Sequence, residues 1–164
     1  ALTYNRLFCY RRFIIYDEDG QEIIRMVATF VLMDRDSRKV HPVEPEIVAP
    51  YQSEFSKKLI RGPKYAELEE AISKDYHVRF YDLDMNGHVN NSKYLDWVFE
   101  VMGADFLTNH IPKKINLKYV KEVRPGGMIT SSYELNQLES NHQVTSDGDI
   151  NAQAKITWQE IKKD

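Results

Sequence analysis

The clearest hydrophobic pattern along the chain is a strand pattern that leads through a polar loop into a helix pattern. Residues 76–81 alternate between two faces, which is the period-2 pattern of a half-buried strand. Residues 82–91 are rich in acids and amides. Apolar side chains then recur with helical spacing until Gly103, at Tyr94, Leu95, Val98, Phe99 and Met102. The pattern therefore predicts a strand, a polar loop and a helix that is capped by Asn90 or Asn91.

The chain after this helix predicts antiparallel strands that are separated by turns. Residues 114–123 alternate as one strand, which includes Glu122, and a turn rich in Pro and Gly follows. Further strands are predicted at 128–138, 143–146 and 150–161. One strand, a long buried helix and four strands predict the α+β class, with an antiparallel sheet wrapped around a long central helix.

The first third of the chain predicts strands that no helix of their own covers. Residues rich in β-branched and aromatic side chains fill 7–16 and 22–33, and the acidic turn Asp17–Gly20 joins them as a hairpin. A short edge strand is predicted at 39–41. A meander that presents apolar residues to water favours self-association, of which a homodimer is the simplest form.

Helix-breaking residues divide the chain between these two regions. They are Pro42, Pro45, Pro50, Gly62 and Pro63. We therefore predict a unit of strands at 1–46, a connector at 47–73 with a short helix at 65–72, and a second unit at 74–164 that contains the polar loop.

Composition narrows the classes of function. With 164 residues, 42% hydrophobic and 29% charged, the chain is an ordinary globular protein that is long enough for one good core. A net charge of −3 argues against a nucleic-acid partner, and no apolar run approaches the roughly 18 residues of a membrane span. The single cysteine, Cys9, allows no internal disulfide, and no export signal is recognisable. These features predict a cytoplasmic protein.

The first interpretation of the polar loop is a calcium site. Asp82, Asp84, Asn86 and Gly87 match the early positions of an EF-hand loop. The match fails at the twelfth position, where Lys93 stands in place of the bidentate Glu that the ion needs. The helix that should enter the loop is also missing, so the sequence disfavours calcium and predicts no metal.

The second interpretation of the loop is a hydrolytic site. Two polar motifs occur in order along the chain, and they read Asp84-x-Asn86-x-His88-Val89-Asn90-Asn91-x-x-Tyr94 and Leu117-x-Tyr119-x-x-Glu122. They resemble the signatures of acyl-acyl carrier protein thioesterases, the hot-dog family that ends fatty-acid synthesis, and the resemblance covers nearly the whole chain. It implies release of free fatty acid, no cofactor, and a partner acyl carrier protein that carries a fatty acyl phosphopantetheine. It implies a catalytic set of Asp84, Asn86, His88 and Glu122.

The resemblance also implies how the two predicted units fold. Residues 74–164 would form a complete C-terminal hot-dog, and residues 1–46 would supply the closing strands of an N-terminal hot-dog whose first part this chain lacks. Plant members of the family often follow the second-motif Glu with a Cys, whereas this chain has Val123. That departure excludes a thiol mechanism at this position. Because the N-terminal hot-dog shapes the acyl pocket in the family, the length of the acyl chain stays open.

The chemistry of thioester hydrolysis explains why these residue types occur together. A thioester needs an activated water and donors for the oxyanion more than it needs a strong acid, because a thiolate is a good leaving group. Glu122 is the candidate base, and Asn86 and His88 are candidates to hold the water or the carbonyl. We expect backbone N–H groups at the start of the helix to bind the oxyanion. Asp84 either orients its neighbours or shares the role of base, and direct attack by a carboxylate remains an alternative.

Three other functions remain alternatives on the same fold. They are an acyl-CoA thioesterase, a hot-dog dehydratase and a module that binds acyl groups without hydrolysing them. A pure binding tunnel has no use for Glu122 opposite an Asn-His pair, and the Asp-x-Asn-x-His order favours the thioesterase over the dehydratase. The choice between carrier protein and coenzyme A stays open.

Basic residues cluster around the second motif. They are Lys113, Lys114, Lys118, Lys121 and Arg124, and Glu122 is the one acid within the run. This basic patch is suited to the phosphate of a pantetheine arm or to an acidic carrier surface. The alternative interpretation is a solvated face of a strand.

Overall fold

The chain divides into two units, Ala1–Arg61 and Gly62–Asp164. The computed structural model describes residues 2–37 and 39–162. Every helix in these described ranges falls short of the length and apolar character that a membrane span needs.

The first unit consists of strands with one short helix. Its elements are β1 (Thr3–Tyr4), β2 (Cys9–Tyr16), β3 (Glu22–Phe30), β4 (Leu32–Met33), β5 (Val40–His41), α1 (Pro45–Val48), a 3-10 turn (Ala49–Tyr51) and β6 (Glu54–Phe55). One sheet has the order β3-β2-β1-β6, and β4 pairs with β5 separately. The predicted strand at 22–33 is therefore two strands. α1 and β6 lie within the stretch that is predicted as the unit boundary and connector. The sequence predicts neither element, because the prolines of this stretch favour turns and loops.

The predicted hairpin turn of the first unit is confirmed. A carboxylate oxygen of Asp17 accepts hydrogen bonds from the backbone N–H groups of Asp19 at 3.1 Å and Gln21 at 2.7 Å. The chain reverses at Gly20, whose φ of 79° lies in the left-handed region where glycine has no steric cost. An Asp that bonds its own backbone is a standard way to close such a turn.

The helix predicted at 65–72 is wrong. The described chain from residue 62 to residue 71 contains neither helix nor strand, and β7 begins at Ile72. The N–H groups of Glu69 and Glu70 donate to the carboxylate of Glu134 on a neighbouring strand. Since those donors are satisfied by another element, the segment runs into the sheet without forming a helical turn.

The second unit places one main helix against a five-stranded antiparallel sheet. Its elements are β7 (Ile72–His77), a 3-10 turn (Phe80–Asp82), α2 (Asn91–Glu100), α3 (Ala104–Leu107), β8 (His110–Tyr119), β9 (Met128–Asn136), β10 (Glu139–Ser146) and β11 (Asp149–Glu160). The strand order is β7-β9-β10-β11-β8, and each pairing is antiparallel. This order confirms the predicted α+β class.

The core of the second unit lies between α2 and one face of the sheet. Tyr94, Trp97 and Val98 are the buried residues of α2. They belong to one cluster with the inward-facing side chains of the three central strands, which include Ile129, Val144, Ala152, Ala154, Ile156 and Trp158. The helix spans ten residues, which is shorter than expected, and the chain turns after it at Gly103, where φ is 83°.

Two predicted strands end earlier than the sequence pattern indicates. β7 stops at His77, because the carboxylate of Asp82 accepts the N–H of Arg79 at 2.7 Å and closes the 3-10 turn. β8 covers His110–Tyr119 in place of 114–123. Glu122 therefore lies in the loop that follows β8, which gives its side chain more freedom of direction than a strand would.

Candidate active site

Asp84 organises the loop that carries the first motif. One of its carboxylate oxygens accepts the backbone N–H of Asn86 at 2.8 Å and that of His88 at 3.1 Å. Its own N–H donates to the carbonyl of His88 at 2.7 Å. Gly87 supplies the left-handed residue that the turn requires, with a φ of 77°. The loop is therefore a tight turn built around one carboxylate.

The hydrogen bonds to Asp84 also fix its charge. The N–H of His88 is the largest cause that lowers the pKa of this carboxyl below its usual value, and the Asn86 groups add to it. Hydrogen bonds to the charged form favour that form. Asp84 is thus ionised at neutral pH and engaged with the backbone, which suits an orienting role better than that of a base.

A second carboxylate, that of the buried Asp82, anchors the loop to its neighbours. Asp82 is 1% exposed, and the guanidinium of Arg79 donates to it at 3.1 Å. Burial acts to raise the pKa of Asp82, but the hydrogen bonds from Arg79 outweigh burial and leave the pKa below its usual value. The carbonyl of Asp82 accepts the N–H of Asn90 at 2.8 Å, which joins this anchor to the start of α2.

The two carboxylates that match early EF-hand positions have other partners in the fold. Asp82 accepts hydrogen bonds from Arg79 and Asp84 from backbone amides, whereas an EF-hand would use both carboxylates as ligands of the ion. Within the ranges that the structure describes, no group of three or more His, Cys, Asp or Glu is arranged to hold a metal ion.

Asn90 is the N-cap of α2, as the sequence predicted. Its side-chain oxygen accepts the N–H of Ser92 at 3.0 Å, and its carbonyl accepts the N–H of Lys93 at 2.9 Å. These two first-turn donors are already occupied. The expectation that the helix start supplies oxyanion donors is therefore wrong for Ser92 and Lys93, because the cap itself satisfies them.

The structure brings the two sequence motifs together at His88 and Glu122. The Nε2 atom of His88 lies 3.9 Å from Oε2 of Glu122, and the two side chains are 46% and 56% exposed. This distance is longer than a hydrogen bond and within the range of an ion pair. Asn86 is exposed on the same loop. The four residues of the predicted set thus lie on two adjacent loops, while their catalytic roles stay a prediction.

Two tyrosines of the motifs join these loops, a role that sequence inspection missed. The hydroxyl of Tyr94 on α2 accepts the backbone N–H of Val123 at 3.1 Å. The hydroxyl of Tyr119 at the end of β8 donates to the carbonyl of Asn91 at 3.0 Å. The two rings meet edge to face with centroids 5.3 Å apart. The signal in the sequence was the presence of a Tyr at a fixed position in each motif.

The environment keeps both tyrosines neutral. Burial is the main cause that raises the pKa of Tyr94, and the charge of Glu122 raises it further. Burial also raises the pKa of Tyr119. Neutral hydroxyls can make the hydrogen bonds described above at any pH at which the site would operate.

Comparison with known protein families assigns both units of the chain. Residues 65–160 match the acyl-ACP thioesterase C-terminal domain, and residues 1–51 match the acyl-ACP thioesterase N-terminal domain. The first match covers more than half of the chain and includes the complete polar loop and Glu122.

Individual proteins that are similar to this chain indicate the same family. Oleoyl-acyl carrier protein thioesterase 2 of Arabidopsis thaliana is 29% identical over 77% of this chain and 37% of its own length. A crystal structure described as an oleoyl thioesterase from Lactobacillus plantarum is 34% identical, with a TM-score of 0.92 over 98% of this chain and 66% of that one. The 12:0-ACP thioesterase from Umbellularia californica, at 23% identity and a TM-score of 0.82, shows the shared fold. The chain spans about a third of the length of the curated relatives that it matches.

Proposed function

Because the chain belongs to the acyl-ACP thioesterase family and has its hot-dog fold, we propose that it hydrolyses fatty acyl thioesters of acyl carrier protein and releases free fatty acid. The observation that carries the proposal is the approach of His88 to Glu122 at 3.9 Å. These residues come from separate motifs and stand 34 positions apart in the sequence, and both are exposed where they meet. A carboxylate and an imidazole that lie close together and are open to solvent can activate a water molecule.

The proposed reaction uses Glu122 as general base. The Glu122 carboxylate takes a proton from water while the water oxygen adds to the thioester carbonyl carbon. The tetrahedral intermediate then breaks its C–S bond, the electron pair leaves on sulfur, and the proton held by Glu122 passes to the thiolate. The products are the carboxylic acid, which ionises, and the free thiol of the pantetheine arm.

The first-motif residues have supporting roles in this proposal. His88 lies beside Glu122, and Asn86 is exposed on the same loop as His88. These two residues are the candidate donors to the water or to the oxyanion. Asp84 holds the turn that presents them, since its carboxylate accepts both of their backbone N–H groups. Direct attack by Glu122 to form an anhydride is the mechanistic alternative.

The proposed substrate is carried by a protein, and not by coenzyme A alone. The basic patch defined above, Lys113, Lys114, Lys118, Lys121 and Arg124, is exposed. It offers a site for the pantetheine phosphate and for the acidic surface of a carrier. We also propose a cytoplasmic location, no membrane or nucleic-acid partner, and self-association as a homodimer, which rest on composition and on the exposed strands of the first unit.

Thiol release by the full-length protein tests the proposal. Oleoyl-, palmitoyl- and dodecanoyl-acyl carrier proteins are compared with the matching coenzyme A thioesters, and free thiol is followed with time. We expect higher kcat/KM for the carrier-bound substrates. Higher kcat/KM for coenzyme A substrates would favour an acyl-CoA thioesterase. Binding without thiol release would indicate an acyl-binding module, and loss of water from a hydroxyacyl chain would indicate a dehydratase.

A further inference from the structure

Asn151 of β11 holds the backbone of the segment that carries Glu122. β8 ends at Tyr119, and beyond it the backbone N–H groups of Val120 and Lys121 both donate to the carbonyl of Asn151, at 2.8 and 3.2 Å. Asn151 is 1% exposed, so these bonds are made away from bulk water. The loop thus leaves the sheet ladder, but its backbone stays attached to β11 at Asn151, and the ammonium of Lys121 pairs with the Asp149 carboxylate on the same strand.

The side chain of Asn151 reaches the same segment. Its Nδ2 donates to the carbonyl of Lys121 at 3.3 Å and to the carbonyl of Glu122 at 3.4 Å. Its Oδ1 accepts the hydroxyl of Ser146 at 2.8 Å. Because a carbonyl oxygen can only accept, the NH₂ end of the amide must face the loop, and the orientation of Asn151 is fixed.

A β-bulge explains why this side chain points at the loop. Val144 pairs with Ala152 and Thr145 pairs with Ile150, so Asn151 has no partner in β10. Asn151 and Ala152 are both buried, which breaks the alternation of the strand. A bulge inserts one residue and re-aims its side chain, and such bulges are common beside active sites.

As a result, the peptide group between Glu122 and Val123 is hydrogen-bonded both at its carbonyl oxygen and at its N–H. The Glu122 carbonyl accepts from Asn151, and the N–H of Val123 in the same peptide donates to Tyr94. A peptide unit is planar, so fixing its oxygen and its nitrogen fixes the backbone that carries the Glu122 side chain.

We propose that Asn151 is a positioning residue for Glu122, and that Ser146 holds Asn151 in the required orientation. The inference rests on the proposed function, in which Glu122 is the base. Its physical reason is that misplacing a catalytic group by about 1 Å can cost about 10²-fold in rate. Asn151 is 1% exposed and acts through the backbone of Glu122.

The test is the isosteric change Asn151→Asp in the full-length protein, assayed with oleoyl-acyl carrier protein. A carboxylate cannot donate to the two carbonyls, so we expect kcat to fall at least about 10-fold while KM stays within about 3-fold. Asn141→Asp is the matched control, because it makes the same chemical change at a partly buried position of β10, five residues before Ser146. It should leave kcat unchanged. Unchanged kcat in Asn151→Asp would overturn the inference.

A double-mutant comparison separates positioning from simple support of the fold. If Asn151 acts through Glu122, Asn151→Asp should lower the residual rate of Glu122→Gln by less than about 2-fold. An equal fold-loss in both backgrounds would assign Asn151 a structural role only. If Asn151→Asp does not fold, the same comparison is made with Ser146→Ala, which leaves the amide donor of Asn151 in place. Wild-type kcat in Glu122→Gln would reject the proposed base, whereas an inactive Glu122→Gln beside a fully active Asn151→Asp would reject the present inference alone.

Discussion

The hydroxyl of Tyr94 accepts the backbone N–H of Val123 at 3.1 Å, and this bond ties the buried face of α2 to the peptide that follows Glu122. Val123 is 3% exposed, so its N–H has no ready access to water. The helix that carries the first motif and the loop that carries the second are therefore joined by a buried hydrogen bond.

Removing that hydrogen bond should affect both stability and rate. Tyr94→Phe leaves the N–H of Val123 buried without this acceptor, which should cost about 1–3 kcal/mol in the free energy of unfolding. Loss of the attachment should also lower kcat by roughly 10-fold. Urea unfolding and thiol release measure the two effects.

Tyr119→Phe is the comparison for Tyr94→Phe. Tyr119 is 46% exposed and its hydroxyl donates to the carbonyl of Asn91, which water can reach. We expect a loss of at most about 1 kcal/mol. Equal losses for the two variants would show that the Val123 N–H finds another partner.

The second prediction concerns Glu122 itself. Glu122→Gln keeps the shape of the side chain and removes the proton acceptor, so turnover should fall at least about 10²-fold. The side chain is 56% exposed, and the melting temperature should change little. Glu160→Gln, an exposed site at the end of β11, is the matched control and should keep wild-type turnover. A folded Glu122→Gln enzyme with near wild-type turnover contradicts the assignment of the base.

Non-additivity tests whether the predicted set acts together. Asn86→Ala and His88→Ala should each be severe. If both residues serve the same water, the double variant should lose far less activity than the product of the single losses. Fully multiplicative losses would mean that the two residues act in separate steps.

The sequence predicted the fold where local pattern decides structure. The helix face that begins at Tyr94, the Asn90 cap and the acidic hairpin at Asp17–Gly20 depend on neighbours within a few residues, and each is confirmed. The α+β class follows from the order of those elements.

The sequence failed where a distant group competes for the backbone. Residues 65–72 are helix formers, but the Glu134 carboxylate takes two of their N–H groups from 64 and 65 positions away. The alternation at 114–123 predicts a strand that is longer than the one in the fold. The strand ends early because the carbonyl of Asn151, at the bulge, accepts the next two N–H groups. The sequence pattern carries no information about either contact. For the same reason, the motifs identify Glu122 but not the residues that hold its backbone.

The fourth prediction concerns recognition of the carrier. Replacing Lys113 and Lys114 by Glu reverses charge in the exposed basic patch and should raise KM for oleoyl-acyl carrier protein at low salt, by roughly 10-fold. The effect should shrink at high salt because screening weakens exposed charges. Hydrolysis of a short acyl thioester of N-acetylcysteamine, which lacks the carrier, should stay unchanged. Equal changes for both substrates, or none, would leave the patch without a role in recognition.

The last prediction concerns a buried histidine remote from both motifs in the sequence. His142 is 2% exposed, its Nε2 lies 2.7 Å from the Ser140 hydroxyl, and the indole N–H of Trp158 donates to the same hydroxyl at 2.8 Å. Its ring stacks on Tyr133 at 5.8 Å. Burial lowers the pKa of His142 from 6.5 to about 4.

This lowered pKa makes the second unit sensitive to acid. Above pH 6.5 the histidine is neutral in both the folded and the unfolded chain. As the pH falls from 6.5 through about 4, the unfolded chain binds a proton that the folded chain resists, so stability is lost. A lowering of that size corresponds to roughly 3 kcal/mol in the free energy of unfolding.

His142→Gln provides the test, because the amide of Gln can still form a hydrogen bond with Ser140 but does not titrate. Urea unfolding followed by tryptophan fluorescence reports on the second unit alone, since both tryptophans, Trp97 and Trp158, lie there. We expect the wild-type protein to lose about 2–3 kcal/mol more than the variant between pH 7 and pH 4. Carboxylates titrate equally in both proteins and cancel in the comparison. Parallel pH profiles would show that His142 takes up its proton as readily in the folded chain as in the unfolded one.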